Sequence, residues 1–360
     1  MPSDSRVILA SAGSGKTTSI VCEAGANPSV RAEVVTYTLN GRRELVDAAY
    51  REFGCVPRGL RVGTWFSFVL QHFVRPYQAH LHPHRAVSID FSEGAPPRYL
   101  KKQNVGAYYF SRKDRLRRDR VTEFACTLIE STGGLPIERF AAICDHFYID
   151  EAQDLSGYDL DFIELLLKSG IRLTLIGDCR QATFTTNNNR RNRAYLGANI
   201  TKKFDEWEKG GLLTVDHQFY SHRCVQEICD FADSFYPEIG ATRSLNEAND
   251  PHMGVFVVRE RDLETYIALY SPQPLRYSRA TKVDFGPPIN FGAAKGMTFD
   301  RVLIYPHGPL KKYLSSGEIG DVQRSIPKTY VAVTRARTSV AFVVENNIAA
   351  SIVPIWEPPR

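Results

Sequence analysis

Ala12-Gly13-Ser14-Gly15-Lys16-Thr17-Thr18 directly follows a short apolar run, Val7-Ile8-Leu9-Ala10. A strand feeding a glycine-rich turn that ends in Lys-Thr is suited to hold a nucleoside triphosphate. Glycines let backbone N–H groups converge on phosphate oxygens with no Cβ in the way. The lysine brings positive charge to the β- and γ-phosphates, and the threonine hydroxyl is placed for Mg²⁺. Gly13, Ser14, Gly15, Lys16, Thr17 and Thr18 are therefore the candidate nucleotide contacts. A second signal is Asp150-Glu151-Ala152-Gln153-Asp154, which follows Phe147-Tyr148-Ile149. Acidic side chains at a strand end can hold Mg²⁺, directly or through water, while a neighbouring carboxylate meets the attacking water. Alone, Asp150-Glu151 also reads as a solvated strand cap. Together with Lys16 it points to ATP and Mg²⁺.

The elements that must position these groups are short. Val7–Ala10, Val34–Thr38, Val62–Thr64, His146–Ile149 and Arg172–Ile176 read as strands. Helices are expected over Thr18–Glu23, Trp65–Phe73, Leu160–Lys168 and a stretch ending at Lys209. Such alternation implies parallel sheets with ligands at the carboxyl strand ends. From Arg75 to about Leu116 the order weakens: Pro76, Pro83, Pro96 and Pro97 interrupt it, and only Tyr99–Phe110 keeps a local period. Arg112–Arg120 carries five Arg and one Lys against two Asp, and is expected to begin a helix reaching Glu130. The run offers contacts to a phosphate backbone, and a solvated helix face is the competing account.

Thr185–Asn192 is a polar loop, and Gly210-Gly211 is the candidate hinge. The alternation restarts beyond it, with strand Leu212–Val215, helix Arg223–Ser234, strand Gly254–Val258 and helix Asp262–Tyr270. Pro288–Phe291, Arg301–Tyr305 and Ser339–Val344 follow as further β-rich segments. The expected class is α/β with two parallel-sheet domains, 1–209 and 210–360. The first carries a small, mostly helical insertion over about 75–143.

At 360 residues, 43% apolar and 24% charged, the chain is long enough for two buried cores. A formal charge of +5 is small for this size, so attraction to nucleic acid must come from local basic patches. No segment approaches 18 uninterrupted apolar residues, and Met1-Pro2-Ser3-Asp4 runs straight into the first strand. Neither a signal peptide nor a membrane partner is expected, which places the protein in the cytoplasm. Seven cysteines with no CxxC pair read as ordinary thiols, with a metal or disulfide role as the alternative. His80, His82 and His84 fall on one side of an extended segment, either as metal ligands or as part of a wet His/Pro loop.

In order along the chain, A-G-S-G-K-T-T at Ala12, V-V-T-Y-T-L-N at Val34, G-T-W-F-S-F at Gly63 and D-E-A-Q-D-L at Asp150 are followed by four more signatures. These are L-I-G-D-C-R-Q at Leu175, S-H-R-C-V-Q-E-I at Ser221, F-G-A-A-K-G-M-T-F-D at Phe291 and Y-V-A-V-T-R-A-R at Tyr330. The series resembles the superfamily 1 helicases of the UvrD/Rep/PcrA type over nearly the whole length. The resemblance implies two RecA-like domains with a P-loop NTPase core, ATP and Mg²⁺ as cofactors, and ATP hydrolysis coupled to movement along single-stranded DNA. It implies 3′-to-5′ direction, with RNA not excluded as the track. It matches Lys16 to the phosphate-contacting lysine, Thr17 and Asp150 to the Mg²⁺ ligands, and Glu151 to the base that activates water. Gln181 matches a γ-phosphate sensor, a role an amide suits because it both donates and accepts; a helix-cap role is the alternative. Arg223 and Arg335 match arginine fingers.

Several positions depart from the family. The adenine-stacking tyrosine falls on His222, the asparagine before it on Ser221, the ribose-binding glutamate on Thr298, and a histidine on Gly292. Gly296 keeps its place in the Lys-Gly turn. Tyr37 and Thr38 match the family's first strand-end contact with single-stranded DNA, and Thr64, Trp65 and Phe66 the next. Aromatics at strand ends stack on bases regardless of sequence; core packing competes for Trp65 and Phe66. The 62 residues between Ile228 and Phe291 leave no room for the family's large second insertion. That shortness favours an alternative, an ATP-gated nucleic-acid-binding regulatory subunit of a defence or repair complex. Such a subunit would work beside a protein partner such as a nuclease, without processive unwinding.

Overall fold

The computed structural model describes residues 4–92, 99–183, 186, 190–348 and 350–359. Pro96 and Pro97, and half of the polar loop at Thr185–Asn192, lie outside the described residues. The chain forms two compact units: Met1–Leu9 with Lys16–His217, and Ala10–Gly15 with Gln218–Arg360.

The first unit is built on strands β1 (Arg6–Ala10), β2 (Ala32–Thr36) and β3 (Leu60–Thr64). Three short strands, β4 (Ser88–Asp90), β5 (Phe110–Arg112) and β6 (Arg115–Arg117), form a separate small sheet in the order β4-β6-β5. β7 (His146–Asp150), β8 (Arg172–Gly177) and β9 (Thr214–Gln218) complete the main sheet, whose order is β3-β2-β7-β8-β1-β9. The pairs β3/β2, β2/β7, β7/β8 and β8/β1 are all parallel. β2 and β7 are buried along their whole lengths, as expected of strands covered on both faces. In register, Asp150 stands opposite Ile176, and Ile176 opposite Ile8. The carboxyl ends that lead to the phosphate loop and to the acidic pair therefore lie two strands apart at one end of the sheet.

Three expectations are corrected here. The strand foreseen at Leu212–Val215 as the opening of the second block is β9, the sixth strand of the first sheet. Its Thr-Val-Asp-His-Gln sequence has no fully buried position, which suits an edge. The helix foreseen from Arg112 starts only at Val121 and runs to Ser131. Before it, Phe110 pairs with Leu116 and Arg112 with Arg115 across an antiparallel turn. The alternation of buried Leu116 with arginines on either side is a strand period, not a helical one. The helix foreseen over Trp65–Phe73 is α-helical only to Phe68 and π-helical over Val69–Val74.

In the second unit, two-residue strands β10 (Tyr220–Ser221) and β11 (Arg243–Ser244) pair with each other. β12 (Gly254–Arg259), β13 (Gln273–Arg276), β14 (Ile289–Asn290), β15 (Phe299–Tyr305) and β16 (Ala336–Val344) form a parallel sheet in the order β12-β16-β15-β13-β14. Helices Gln226–Asp233, Gly308–Ser316 and Ile326–Val333 bury Ile228, Phe231, Leu310, Leu314, Tyr330 and Val333 in one core with Val255, Ile304 and Phe342. The protein is thus α/β with two separate parallel sheets. No helix among the described residues is long and apolar enough to cross a membrane.

Candidate active site

The phosphate loop follows from the strand before it. β1 ends at Ala10, and a ten-residue helix begins at Lys16. Gly13 and Gly15 hold left-handed backbone, φ +77° and +82°, which a side chain would strain. The Ser14 N–H closes a turn on the Ser11 carbonyl at 3.3 Å. The Ser14 hydroxyl is buried and has no hydrogen-bond partner. No acidic residue stands in the first turn of the Lys16–Gly25 helix, so its positive end is uncompensated by its own sequence. Backbone N–H groups at a helix start, two left-handed glycines and an orphaned hydroxyl fit a phosphate chain. Thr17, half-buried on the same turn, is positioned in sequence to ligate its Mg²⁺.

Within the second unit, Ala10–Gly15 is held by the segment after β10. Ser221 Oγ donates to the Ala12 carbonyl at 2.7 Å, and the His222 N–H donates to the Gly13 carbonyl at 2.9 Å. A Cβ on Gly13 would stand 2.6 Å from both Arg223 Cβ and Ser221 Oγ. Ser221 thus acts on the loop itself. The backbone N–H groups of Arg223 and Cys224 also donate to its oxygen, at 3.3 and 3.2 Å.

Arg223 and Arg335 come together on the turn at Thr334. Arg223 donates from NH1 to the Thr334 carbonyl at 3.1 Å. Arg335 is buried, and its Nε donates to the Val331 carbonyl at 2.9 Å. Its NH1 reaches the Met297 carbonyl at 3.3 Å, and its NH2 reaches Thr334 Oγ1 at 3.3 Å. Arg335 thereby pins the turn that contains Gly296, whose φ is +87°. His222 is exposed, with its ring edge-on to Tyr220 at 5.5 Å.

In the first unit, the acidic pair lies at the end of β7. Asp150 is buried, and its Oδ1 accepts the Glu151 N–H at 3.0 Å. Glu151 has φ 60°, a left-handed conformation that costs a non-glycine residue roughly 1–3 kcal/mol. Gln153 donates from its amide nitrogen to Glu151 Oε2. Its amide oxygen accepts the Asp178 N–H at 3.0 Å. Asp178 caps the next turn by accepting the Arg180 N–H at 3.1 Å, and its Oδ2 accepts the Gln181 amide at 2.8 Å. Gln153 and Asp178 were not singled out from the sequence. The only local signal is Gly177, where a Cβ would lie 2.4 Å from Gln153 Oε1.

The strand-end residues divide. Thr38 is the N-cap of the Leu39–Phe53 helix, accepting the Gly41 N–H at 2.9 Å. Tyr37 is half-buried with its ring 5.9 Å from that of Trp65. Thr64 Oγ1 donates to Ser67 Oγ at 2.8 Å. Trp65, expected among the nucleic-acid contacts, is instead a core residue at 0% exposure. Its ring lies edge-on to Phe162, and its indole N–H donates to buried Asp159 at 3.2 Å. The outward aromatics are half-buried Phe66 and exposed Phe91, which meet edge-to-face at 5.5 Å. Nothing in the sequence pattern pointed to Phe91.

Asp159 also accepts hydroxyl donation from Thr122 at 2.6 Å and from Thr186, and burial pushes its carboxyl up to about 6. Of the basic run, Arg118 pairs with buried Asp119 at 3.0 Å, and Arg120 pairs with buried Glu123. These two arginines serve their own fold. His82 stacks on Phe110 at 4.0 Å. Among the described residues no group of three His, Cys, Asp or Glu side chains is arranged to hold a metal, and all seven cysteines are free thiols.

No protein-family model and no curated protein matches the sequence. Among solved structures, the PRRSV helicase aligns over 99% of this chain and 55% of its own, at 16% identity and a TM-score of 0.44. The arterivirus nonstructural protein 10 helicase aligns over 95% of this chain and 60% of its own, at 14% identity and 0.44. A structure of that helicase with DNA gives 14% identity and 0.45, covering 95% of this chain and 61% of the other. The chain spans somewhat more than half the length of these proteins. Likeness of this degree assigns it to no family.

Proposed function

We propose that the protein is a Mg²⁺-dependent ATPase that couples hydrolysis to movement along single-stranded DNA, in the 3′-to-5′ direction its motifs imply. One observation carries the ATPase assignment. In a single parallel sheet, β1 leads into a glycine loop and helix suited to phosphates, while β7 ends in a buried aspartate and a strained glutamate.

In this reading Thr17 and Asp150 hold the metal, which would neutralise charge on the phosphate oxygens. Lys16 adds positive charge to the same oxygens. Glu151 accepts the proton of the attacking water, and its backbone strain is consistent with an aim fixed by its surroundings. Gln181, held by Asp178, senses the γ-phosphate. Arg223 starts at the edge of the loop, with its Cβ against Gly13, and stabilises charge on the transferring phosphoryl group. Arg335 orders the Lys295–Thr298 turn and the Thr334 carbonyl end against which Arg223 rests. Tyr37, Thr38 and Thr64 mark the strand ends that meet the nucleic acid, with Phe66 and Phe91 as the aromatic faces.

The deciding experiment is steady-state ATP hydrolysis with and without dT, rU and blunt duplex oligomers. Stimulation by single strands is expected. Glu151→Gln should retain nucleotide binding and lose about 10²–10⁴ in turnover, whereas Lys16→Ala should weaken binding as well. Wild-type turnover in the Glu151→Gln protein refutes Glu151 as the base, and absence of hydrolysis by the wild-type protein under all of these conditions refutes the ATPase assignment.

A further inference from the structure

We propose that Gln153 is a positioning residue that fixes Glu151 and ties its aim to Gln181. The inference rests on Glu151 acting as the base.

Gln153 is 2% exposed and spans two strand ends. Its NH₂ group donates to Glu151 Oε2, and its carbonyl oxygen accepts the backbone N–H of Asp178 at 3.0 Å. An amide carries, on two separate atoms, a donor for a carboxylate and an acceptor for a backbone N–H, so it can bridge the two strand ends. The acceptor side fixes which end of the amide faces Glu151, because a flipped amide would set its NH₂ against the Asp178 N–H.

The far side of this bridge reaches Gln181. Asp178 presents its backbone to Gln153 and its Oδ2 to the Gln181 amide at 2.8 Å. A shift of Gln181 toward or away from a γ-phosphate therefore pulls on Asp178, and through Gln153 on the carboxylate. Gly177 leaves the space for this: a Cβ there would lie 2.4 Å from Gln153 Oε1 and 3.1 Å from the Gln153 backbone nitrogen. Donation to one oxygen of Glu151 sets the plane of the carboxylate and directs the other oxygen.

The test uses the full-length protein and three variants, Gln153→Ala, Gln153→Glu and Glu151→Gln, assayed for ATP hydrolysis with and without oligo-dT. Binding of a fluorescent ATP analogue and thermal melting serve as controls for folding. Gln153→Ala should lower kcat by about 10–100-fold, part of the ~10²–10⁴ that a general base supplies, with KM for ATP nearly unchanged. Stimulation by oligo-dT should shrink as well, which a purely structural defect would not select. Gln153→Glu keeps the acceptor for Asp178 but sets a second carboxylate against Glu151. Two carboxylates in contact repel, so Gln153→Glu should lower kcat at least as far as Gln153→Ala while the contact to Asp178 is kept, again with KM for ATP nearly unchanged.

Full kcat and undiminished stimulation by oligo-dT in folded Gln153 variants, with Glu151→Gln inactive, overturn the positioning role and leave the base assignment standing. An active Glu151→Gln protein removes the base itself, and the inference with it. If Gln153→Ala fails to fold, the kcat and KM of Gln153→Glu decide.

Discussion

Asp159 offers a quantity whose sign follows from burial. It is 1% exposed, and four donors converge on its carboxyl. The Trp65 indole and the Thr122 hydroxyl donate to Oδ1 at 3.2 and 2.6 Å; the Thr186 hydroxyl and, at 3.4 Å, the Ser156 N–H donate to Oδ2. The indole and the amide are obligate donors, but either threonine hydroxyl can turn and accept, so the protonated acid also fits. Burial outweighs the hydrogen bonds and raises the carboxyl from 3.8 to about 6. Between those values the folded protein holds a proton that the unfolded chain has lost. Stability from this group is therefore fully present below pH 4 and declines as pH rises through about 6. About two pKa units at 1.36 kcal/mol each make a cost of about 3 kcal/mol at neutral pH. Asp159→Asn keeps an acceptor oxygen and removes the titration. Urea unfolding of both proteins from pH 4.5 to 7.5, followed by the fluorescence of Trp65 and Trp207, isolates the effect, since all other titrating groups cancel in the difference. The variant should gain about 2–3 kcal/mol on wild type across that range. A difference flat with pH refutes the argument that burial dominates.

Trp65→Ala should destabilise the first unit by about 3–5 kcal/mol, because it opens a cavity beside Phe162 and Phe68 and leaves Asp159 short of a donor. Tyr37→Ala should leave melting nearly intact while weakening single-strand binding by roughly 1–3 kcal/mol with little base preference, read by fluorescence anisotropy; unchanged affinity removes Tyr37 from the strand path. Gly13→Ala and Gly15→Ala both place a side chain in left-handed backbone, at about 1–2 kcal/mol each, but only Gly13 has neighbours within 4 Å of the added Cβ. Melting of the two variants should show the larger loss at Gly13, and equal losses would mean that Arg223 and Ser221 do not hold the loop.

The strands β1, β2, β7 and β8 were legible because each is a short apolar run closed by Gly, Asp or Thr, and burial on both faces leaves little else for such a run to do. The phosphate loop and the acidic pair were legible for a related reason: their chemistry depends on residues adjacent in sequence. What escaped depends on residues far apart. Trp65 looks the same whether it faces a groove or a core; its neighbour Phe162 lies 97 positions away and decides the matter. Arg112–Arg120 was misjudged because charge density masked its period, and only the pairing of Phe110 with Leu116 shows a hairpin. Gln153 stands in the acidic motif but its role was not legible there, since that role needs the β7/β8 register to bring the Asp178 N–H within reach.

The same turn after β7 serves two polar assemblies, and its backbone explains why. Gln153 faces the sheet end and the Glu151 carboxylate. One residue on, the Asp154 carbonyl accepts the Thr186 N–H at 3.3 Å, and Thr186 Oγ1 bonds Asp159 and, at 2.6 Å, Ser156. Thr186 follows Gln181 by five residues, and Asp159 holds Thr122 of the inserted helix as well as Trp65 beside Tyr37. Buried polar groups at a strand end have no ladder partners left, so each must be satisfied by another chain segment. At this turn the segments are those carrying Gln181, the insertion and the strand-end aromatics. Thr186, through Asp159, therefore forms a polar route from this turn to the packing beneath Tyr37. Thr186→Val breaks that route while leaving Gln153 and Glu151 untouched. It should retain basal hydrolysis and reduce its stimulation by oligo-dT, and undiminished stimulation would show that the strand signal travels elsewhere.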